Sequence, residues 1–179
     1  MYKRATLIEN KSIRTILKPE PIKNPIRLGV VGLGHRGVLN VIAKALEFED
    51  YKLCSVCDKR KDVTDTVVSD LKEKHNTKIR GYTSFDDMLK SEELDAIAIV
   101  IDPDKQVPLA CQAMASGLHV MMEVPAAYTI EDCWNLVTTV ERTGRVFLLM
   151  EQIRYTGYVQ AWRSIVKKDV IGKPIFAEG

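Results

Sequence analysis

The fold of this chain is decided by residues 26–37, which read Ile-Arg-Leu-Gly-Val-Val-Gly-Leu-Gly-His-Arg-Gly. The first part, residues 26–31, is a short apolar run that predicts a buried strand. The second part places Gly32, Gly34 and Gly37 in the spacing G-x-G-x-x-G. Apolar residues then recur at helical spacing between Val38 and Leu46. The stretch therefore predicts a strand, a glycine turn and a helix in direct succession.

Each glycine has its own physical reason in such a turn. Gly32 allows the tight change of direction, Gly34 lets a pyrophosphate approach the backbone, and Gly37 lets the helix pack closely on the strand. The helix N-terminus then offers free N–H groups and a partial positive charge to phosphate. We predict that this turn binds a dinucleotide; a glycine-rich turn without a ligand is the alternative.

Two further side chains of the turn, His35 and Arg36, belong to the predicted cofactor site. His35 either contacts phosphate or faces solvent.

An acidic residue at the end of the second predicted strand supports the dinucleotide site. Asp58 ends the apolar residues 51–58, 21 residues beyond Gly37. A carboxylate there can accept hydrogen bonds from the hydroxyls of an adenosine ribose and repels a 2′-phosphate, which favours NAD over NADP. The basic residues 59–61, beginning with Lys59, leave NADP open, because a neighbouring cation can accommodate that phosphate. Such a run is also typical of a solvated loop.

Apolar runs alternate with helical patterns along the rest of the chain. The later strands are predicted at residues 51–58, 78–82, 94–102, 118–124 and 146–151, with helices at 61–75, 84–89 and 105–116. Thr129 resembles the start of a capping box for a helix that ends before Gly144. Six apolar strands joined by helices predict an α/β fold with a doubly wound parallel sheet, the Rossmann fold.

The chain divides into three regions by composition. Residues 1–25 are proline-rich at their end and predict an N-terminal arm. Residues 26–151 hold the six strands and form the predicted dinucleotide-binding domain. Residues 152–179 contain a helix pattern at 155–169 and a strand pattern from Lys173, which we interpret as the truncated beginning of a second domain.

Composition and charge argue against several classes of function. The 179 residues include 26 Lys and Arg against 24 Asp and Glu, so the net charge of +2 offers no broad cationic surface for nucleic acid. The longest apolar run, residues 96–101, is far shorter than the roughly 20 residues of a membrane helix. Residues 1–18 contain no signal-peptide core. We expect a cytoplasmic protein that binds neither nucleic acid nor membrane.

The cysteines and histidines show no convincing metal pattern. Cys54 and Cys57 have CxxC spacing, but positions three apart on a strand point to opposite faces. We therefore expect two diverging structural thiols rather than a metal or redox pair. The three histidines are scattered, so we predict no metal site.

The reactive end of a cofactor is expected outside the carboxyl ends of the central strands, where strand order reverses. Predicted strands end near Asp102, Glu123 and Gln152. Glu123 would lie beside the nicotinamide ribose, with a structural carboxylate as the alternative, and Gln152 would lie on the same side. Asp102 either lies near the cofactor or caps the helix that follows it.

Together these motifs resemble the Gfo/Idh/MocA oxidoreductases. The resemblance is carried by the glycine turn, Asp58, residues 113–120 and the segment Glu123-Val124-Pro125, and it runs from about Ile26 to the end of the chain. It implies a Rossmann domain followed by an open, mostly antiparallel α/β domain that binds substrate and mediates homo-oligomers. It also implies oxidation or reduction of sugars, polyols and related small molecules with NAD or NADP.

Two positions depart from the pattern of that family. Dehydrogenases of the family usually have lysine, which assists proton transfer, where this chain has Val124, so the catalytic residue stays unassigned. Gln106 is the polar residue nearest to a position where members commonly have histidine. The segments at Glu123 and at residues 151–155 look more like the branch that contains NAD-using glycosidases, which return the hydride within each cycle. Tyr155 would then face the substrate, with a core or interface tyrosine as the alternative.

Three candidate functions are left by these residues and the resemblance. The first is an NAD-dependent oxidoreductase that acts on a sugar, polyol or related small molecule. The second is a redox-neutral NAD-using glycosidase. The third is a non-catalytic NAD-binding module, which Val124 and the incomplete second domain favour.

Overall fold

A single parallel sheet organises the protein. The computed structural model describes residues 24–176 and 178, so nearly all of the predicted N-terminal arm lies outside the described residues. The strands are β1 (Ile26–Val31), β2 (Tyr51–Cys57), β3 (Arg80–Tyr82), β4 (Ala96–Ile99), β5 (His119–Met122) and β6 (Phe147–Leu149). Their order is β3-β2-β1-β4-β5-β6, and strand order therefore reverses between β1 and β4. The predicted doubly wound sheet is confirmed.

Helices connect the strands, as the alternating pattern predicts. The first begins with a π-helical segment (Gly37–Ile42) and continues as α1 (Ala43–Glu47). The others are α2 (Lys61–His75), α3 (Phe85–Ser91), α4 (Pro103–Ala115), α5 (Ile130–Thr143) and α6 (Gly157–Lys167), with a 3-10 turn at Ile153–Tyr155. The predicted bounds of α2 are confirmed, and the left-handed Asn76 (φ 50°) ends it.

The core lies on both faces of the sheet, and β4 shows why. Its four residues are all buried. Ala96 and Ala98 pack into one core cluster, while Ile97 and Ile99 pack into the other. A central parallel strand covered on both faces is apolar throughout for this reason. Full burial of each isoleucine contributes about 1.5–3 kcal/mol.

The two cysteines of β2 do not diverge as predicted. Leu28 pairs with Leu53, but Gly29 pairs with Ser55, so Cys54 is an extra residue that forms a bulge. A bulge shifts the alternation of side chains by one position. Cys54 and Cys57 consequently pack against the same core cluster. Burial raises the pKa of the Cys57 thiol to about 11, and the thiol therefore stays protonated.

The last described residues differ from the sequence-based expectation. The predicted helix is present as α6, but residues 173–176 form no strand. A strand requires a neighbour with which its backbone groups pair, and the described chain provides none at this point. None of the residues of α6 is buried, and most of its apolar side chains, including Tyr158 and Trp162, are exposed.

Among residues 24–176, no helix is both long enough and apolar enough to cross a membrane.

We predict that Thr129→Ala lowers the free energy of unfolding by about 1 kcal/mol. Thr129 is the N-cap of α5, and its Oγ1 accepts a hydrogen bond from the Asp132 N–H at 3.1 Å. Urea denaturation measures the change. Thr138→Ala is the matched control: its hydroxyl only donates back to a carbonyl of the same helix, so alanine there leaves stability unchanged or raises it. Equal losses in both variants would contradict the capping role.

Candidate functional site

Of the three glycines in the turn, only one has open space where a side chain would stand. Gly32 has φ +94°, and a Cβ on it would overlap the Val100 carbonyl oxygen. A Cβ on Gly37 would overlap the Gly32 carbonyl oxygen. Both positions therefore require glycine for the fold itself. A Cβ on Gly34, by contrast, would meet no heavy atom within 4 Å. Gly34 is free for the approach of a ligand, and this fits the pyrophosphate role that the spacing predicts.

Asp58 lies directly beside this turn. Its Oδ2 accepts a hydrogen bond from the Leu33 N–H at 2.9 Å, and its Oδ1 accepts one from the Arg60 N–H at 3.0 Å. Burial alone would raise the pKa of this carboxyl group, but the two N–H donors and the Arg60 guanidinium outweigh burial and lower it. Asp58 is thus an ionised carboxylate that joins the end of β2 to the glycine turn.

The three basic residues after Asp58 differ in whether they form ion pairs. Arg60 Nε lies 3.5 Å from Asp58 Oδ1, and Lys61 forms an ion pair with Asp65 one helical turn further on. Lys59, the residue included in the predicted site, is exposed in the loop between β2 and α2. The cation nearest to the carboxylate is therefore Arg60 rather than Lys59.

Arg36 connects the glycine turn to two other strand ends. Its Nη2 donates to Glu123 Oε1 at 2.6 Å, and its Nη1 donates to Gln152 Oε1 at 2.9 Å. These three residues belong to the predicted cofactor site, and the structure brings them together. Their direct bonding could not be foreseen from sequence, because the three positions are far apart in the chain.

Both backbone groups of Glu123 form hydrogen bonds that fix its position. Its N–H donates to the Ile99 carbonyl at 3.0 Å, next to the end of β4. Its carbonyl accepts a hydrogen bond from Gln106 Nε2 at 3.1 Å, and the same amide donates to the Pro125 carbonyl at 3.0 Å. Gln106 is fully buried on α4. Sequence reasoning noted this residue only as a replacement for histidine, whereas the structure shows that it fixes the loop after β5.

The other predicted site residues form no hydrogen bond with the glycine turn or with the Arg36–Glu123 pair in the described structure. Asp102 occupies the N-cap position of α4, but its side chain makes no capping bond and lies 3.2 Å from Lys105 Nζ. His35 is exposed. Tyr155 is 72% exposed, so within the described structure it is not a core residue. Val124 presents no titratable group.

An open pocket of about 220 Å³ lies beside the Arg36–Glu123 ion pair. Its polar lining includes Asn40, Glu151, Gln152 and Tyr155. Apolar side chains from the end of β6 complete it. A small polar molecule with some apolar surface matches this mixture. Over the described residues, no group of three or more His, Cys, Asp or Glu side chains is placed to hold a metal ion.

The reversal of strand order, the glycine turn and Asp58 together define a dinucleotide-binding Rossmann domain. Residues 26–151 match the Gfo/Idh/MocA family, described as an oxidoreductase family with an NAD-binding Rossmann fold. Since this match covers most of the chain, the chain belongs to that family, and NAD is the cofactor of its Rossmann domain.

Curated relatives are named as glycosidases. A "Glycosyl hydrolase family 109 protein" of Shewanella baltica is 30% identical over 172 residues, which are 94% of this chain and 37% of the relative. A "Glycosyl hydrolase family 109 protein 2" of Phocaeicola vulgatus is 32% identical over 157 residues, 86% of this chain and 38% of that protein. The chain therefore spans well under half the length of these relatives.

Solved structures of similar fold are dehydrogenases. The WlbA dehydrogenase from Bordetella pertussis, in complex with NADH and UDP-GlcNAcA, has a TM-score of 0.75 at 23% identity, over 83% of this chain and 44% of its own. The scyllo-inositol dehydrogenase from Lactobacillus casei, with NAD(H) and scyllo-inositol, has a TM-score of 0.76 at 23% identity, over 83% of this chain and 43% of its own. At this identity the likeness concerns the fold.

The lowered pKa of Asp58 predicts how stability depends on pH. A carboxyl group whose folded-state pKa is depressed contributes stability above its unfolded pKa of about 3.9, and this contribution is lost as pH falls through the folded value. We therefore expect the free energy of unfolding of Asp58→Asn to fall less steeply than that of the parent below about pH 5. Urea midpoints over this range test it, with Asp50→Asn, an exposed carboxylate, as the control. Equal acid sensitivity in parent and Asp58→Asn would contradict the role of this group.

Proposed function

We propose that NAD binds along the carboxyl edge of the sheet, from Asp58 across the glycine turn to Glu123. One observation supports this most: the fold itself requires Gly32 and Gly37 to be glycine, while Gly34 faces open space next to the ionised Asp58. In this proposal the turn, with His35 and Arg36 at its rim, receives the pyrophosphate.

Asp58 would accept hydrogen bonds from the adenosine ribose in this arrangement. Its carboxylate oxygens already accept two backbone N–H groups, which fix its orientation toward the turn. The carboxylate of Asp58 would repel a 2′-phosphate. The neighbouring Arg60, which could attract such a phosphate, is already paired with that carboxylate. We therefore propose that Asp58 is the group that makes the site prefer NAD over NADP, with Lys59 at the margin of the ribose site.

Glu123 and Gln152 would lie on the nicotinamide side. When bound, NAD supplies the carbon that accepts and returns a hydride. The chain's own contribution is to hold this end of the site: Gln106 fixes the backbone of Glu123, and Arg36 orients both polar side chains. Asp102, at the start of α4, would border the same crevice.

We propose that the whole protein acts on a sugar, a polyol or a related small molecule as an oxidoreductase-like enzyme. The similar structures named above hold a nucleotide sugar or an inositol. Residues 152–179 would begin the domain that completes the substrate site and mediates homo-oligomers. The exposed apolar side of α6 supports this, because such a side is normally buried against another element.

A redox-neutral glycosidase is the second candidate, and two observations favour it. The similar curated proteins carry the name of a glycosidase family. The segment Glu123-Val124-Pro125 resembles the branch that contains NAD-using glycosidases more than the dehydrogenases, which usually have lysine at the position of Val124. In this case Tyr155, which is exposed and lines the pocket, would face the substrate.

A cytoplasmic location is also proposed. All four cysteines are free thiols, which suits a reducing compartment.

Gly34→Ala is predicted to abolish the stabilisation of the protein by NAD⁺ while leaving the melting temperature of the free protein unchanged. The new methyl group meets no protein atom, but it occupies the space through which the pyrophosphate would approach. Thermal unfolding with and without NAD⁺ measures both effects. Gly157→Ala is the matched control, because its Cβ would also meet open space, but on α6. A normal response of Gly34→Ala to NAD⁺ would contradict the proposed pyrophosphate site.

Assays of the protein with a complete second domain separate the candidate activities. Net NADH formation with sugars or polyols supports the oxidoreductase, and glycoside cleavage without net NADH supports the redox-neutral enzyme. The absence of both reactions, with NAD still bound, supports a binding module.

A further inference from the structure

The ion pair between Arg36 and Glu123 crosses the crevice in which the nicotinamide is proposed to lie. Arg36 follows β1, and Glu123 follows β5, with β4 between those two strands. Neighbouring strands are about 4.8 Å apart, so the pair bridges roughly 10 Å of the sheet edge. A ring seated in this crevice would therefore lie within roughly 10 Å of both charges.

Both charges are held in fixed positions. The Glu123 side chain is only 13% exposed, and its backbone is anchored to Ile99 and Gln106. The Arg36 side chain is 33% exposed, and its second N–H group is held by Gln152. Partly buried charges are screened much less by salt than charges on a free surface. The pair thus places one positive and one negative charge beside the crevice, with no net charge.

We propose that the opposite charges of Arg36 and Glu123 balance each other beside the nicotinamide, so that the site binds the oxidised and the reduced cofactor with little discrimination by charge, an inference that rests on the proposed function. The nicotinamide ring carries a positive charge in NAD⁺ and none in NADH. The two forms otherwise present the same adenosine and pyrophosphate groups to the protein. Any charge beside the ring therefore changes the ratio of the two dissociation constants, whereas contacts elsewhere change both equally.

The two members of the pair must act in opposite directions. Arg36 disfavours the cationic ring, and Glu123 favours it. While the pair is intact these effects offset each other, so the site discriminates little through charge. Removal of one member leaves the charge of the other uncompensated. At roughly 10 Å and an effective dielectric constant of about 20, one charge changes the ratio about tenfold.

The test is a calorimetric measurement of the dissociation constants of NAD⁺ and NADH for the full 179-residue chain and its variants. Arg36→Gln is expected to shift the ratio about tenfold toward NAD⁺, and Glu123→Gln about tenfold toward NADH. The double variant should return close to the parent ratio. Arg36→Lys, which keeps the charge, should also keep the ratio even if both affinities fall.

The outcomes separate this inference from the function on which it rests. If the parent binds both forms but the single variants leave the ratio unchanged, or shift it in the same direction, the inference is wrong and the proposed function stands. If the parent binds neither form, the proposed function fails, and the inference fails with it. Melting temperatures verify that each variant folds. Glu123→Gln is nearly isosteric, so it suffices for the test if Arg36→Gln does not fold.

Discussion

The close approach of the first helix to β1 is the constraint on which the remaining structure depends. A Cβ on residue 37 would overlap the Gly32 carbonyl oxygen, and a Cβ on residue 32 would overlap the Val100 carbonyl oxygen. Only glycine at both positions lets the helix begin directly above the strand. This contact brings the helix N-terminus to the point at which strand order reverses. It also brings the turn within hydrogen-bond distance of Asp58, Glu123 and Gln152.

Polar contacts then tie the neighbouring strand ends to the turn. Asp58 connects β2 to the turn through the Leu33 N–H, and Arg36 connects the turn to the ends of β5 and β6. Gln106, on α4, fixes the loop after β5 through hydrogen bonds to two of its carbonyl groups. The carboxyl edge of the sheet is thus one network in which the proposed adenosine and nicotinamide ends are linked through residues of a single turn. A substitution in the turn should accordingly alter the geometry of both the adenosine end and the nicotinamide end.

The parts of this structure that depend on local patterns could be predicted from the sequence. Periodicity and capping predict the sheet, α2 and the start of α5, because burial and hydrogen bonding of these elements repeat at fixed intervals. The bulge at Cys54 could not be predicted, since it depends on pairing with β1. The Arg36–Glu123 contact and the role of Gln106 depend on groups brought together by tertiary folding. The strand expected from Lys173 failed because pairing, rather than composition, makes a strand.

A calorimetric titration of the chain with NAD⁺ and, separately, with NADP⁺ tests the central claim most directly. If the glycine turn and the ionised Asp58 form one dinucleotide site, NAD⁺ binds more tightly, because the carboxylate accepts the ribose hydroxyls and repels a 2′-phosphate. Tighter binding of NADP⁺ would assign the ribose end to Arg60 and its basic neighbours instead. Binding of neither would contradict a site formed by residues 26–151 alone.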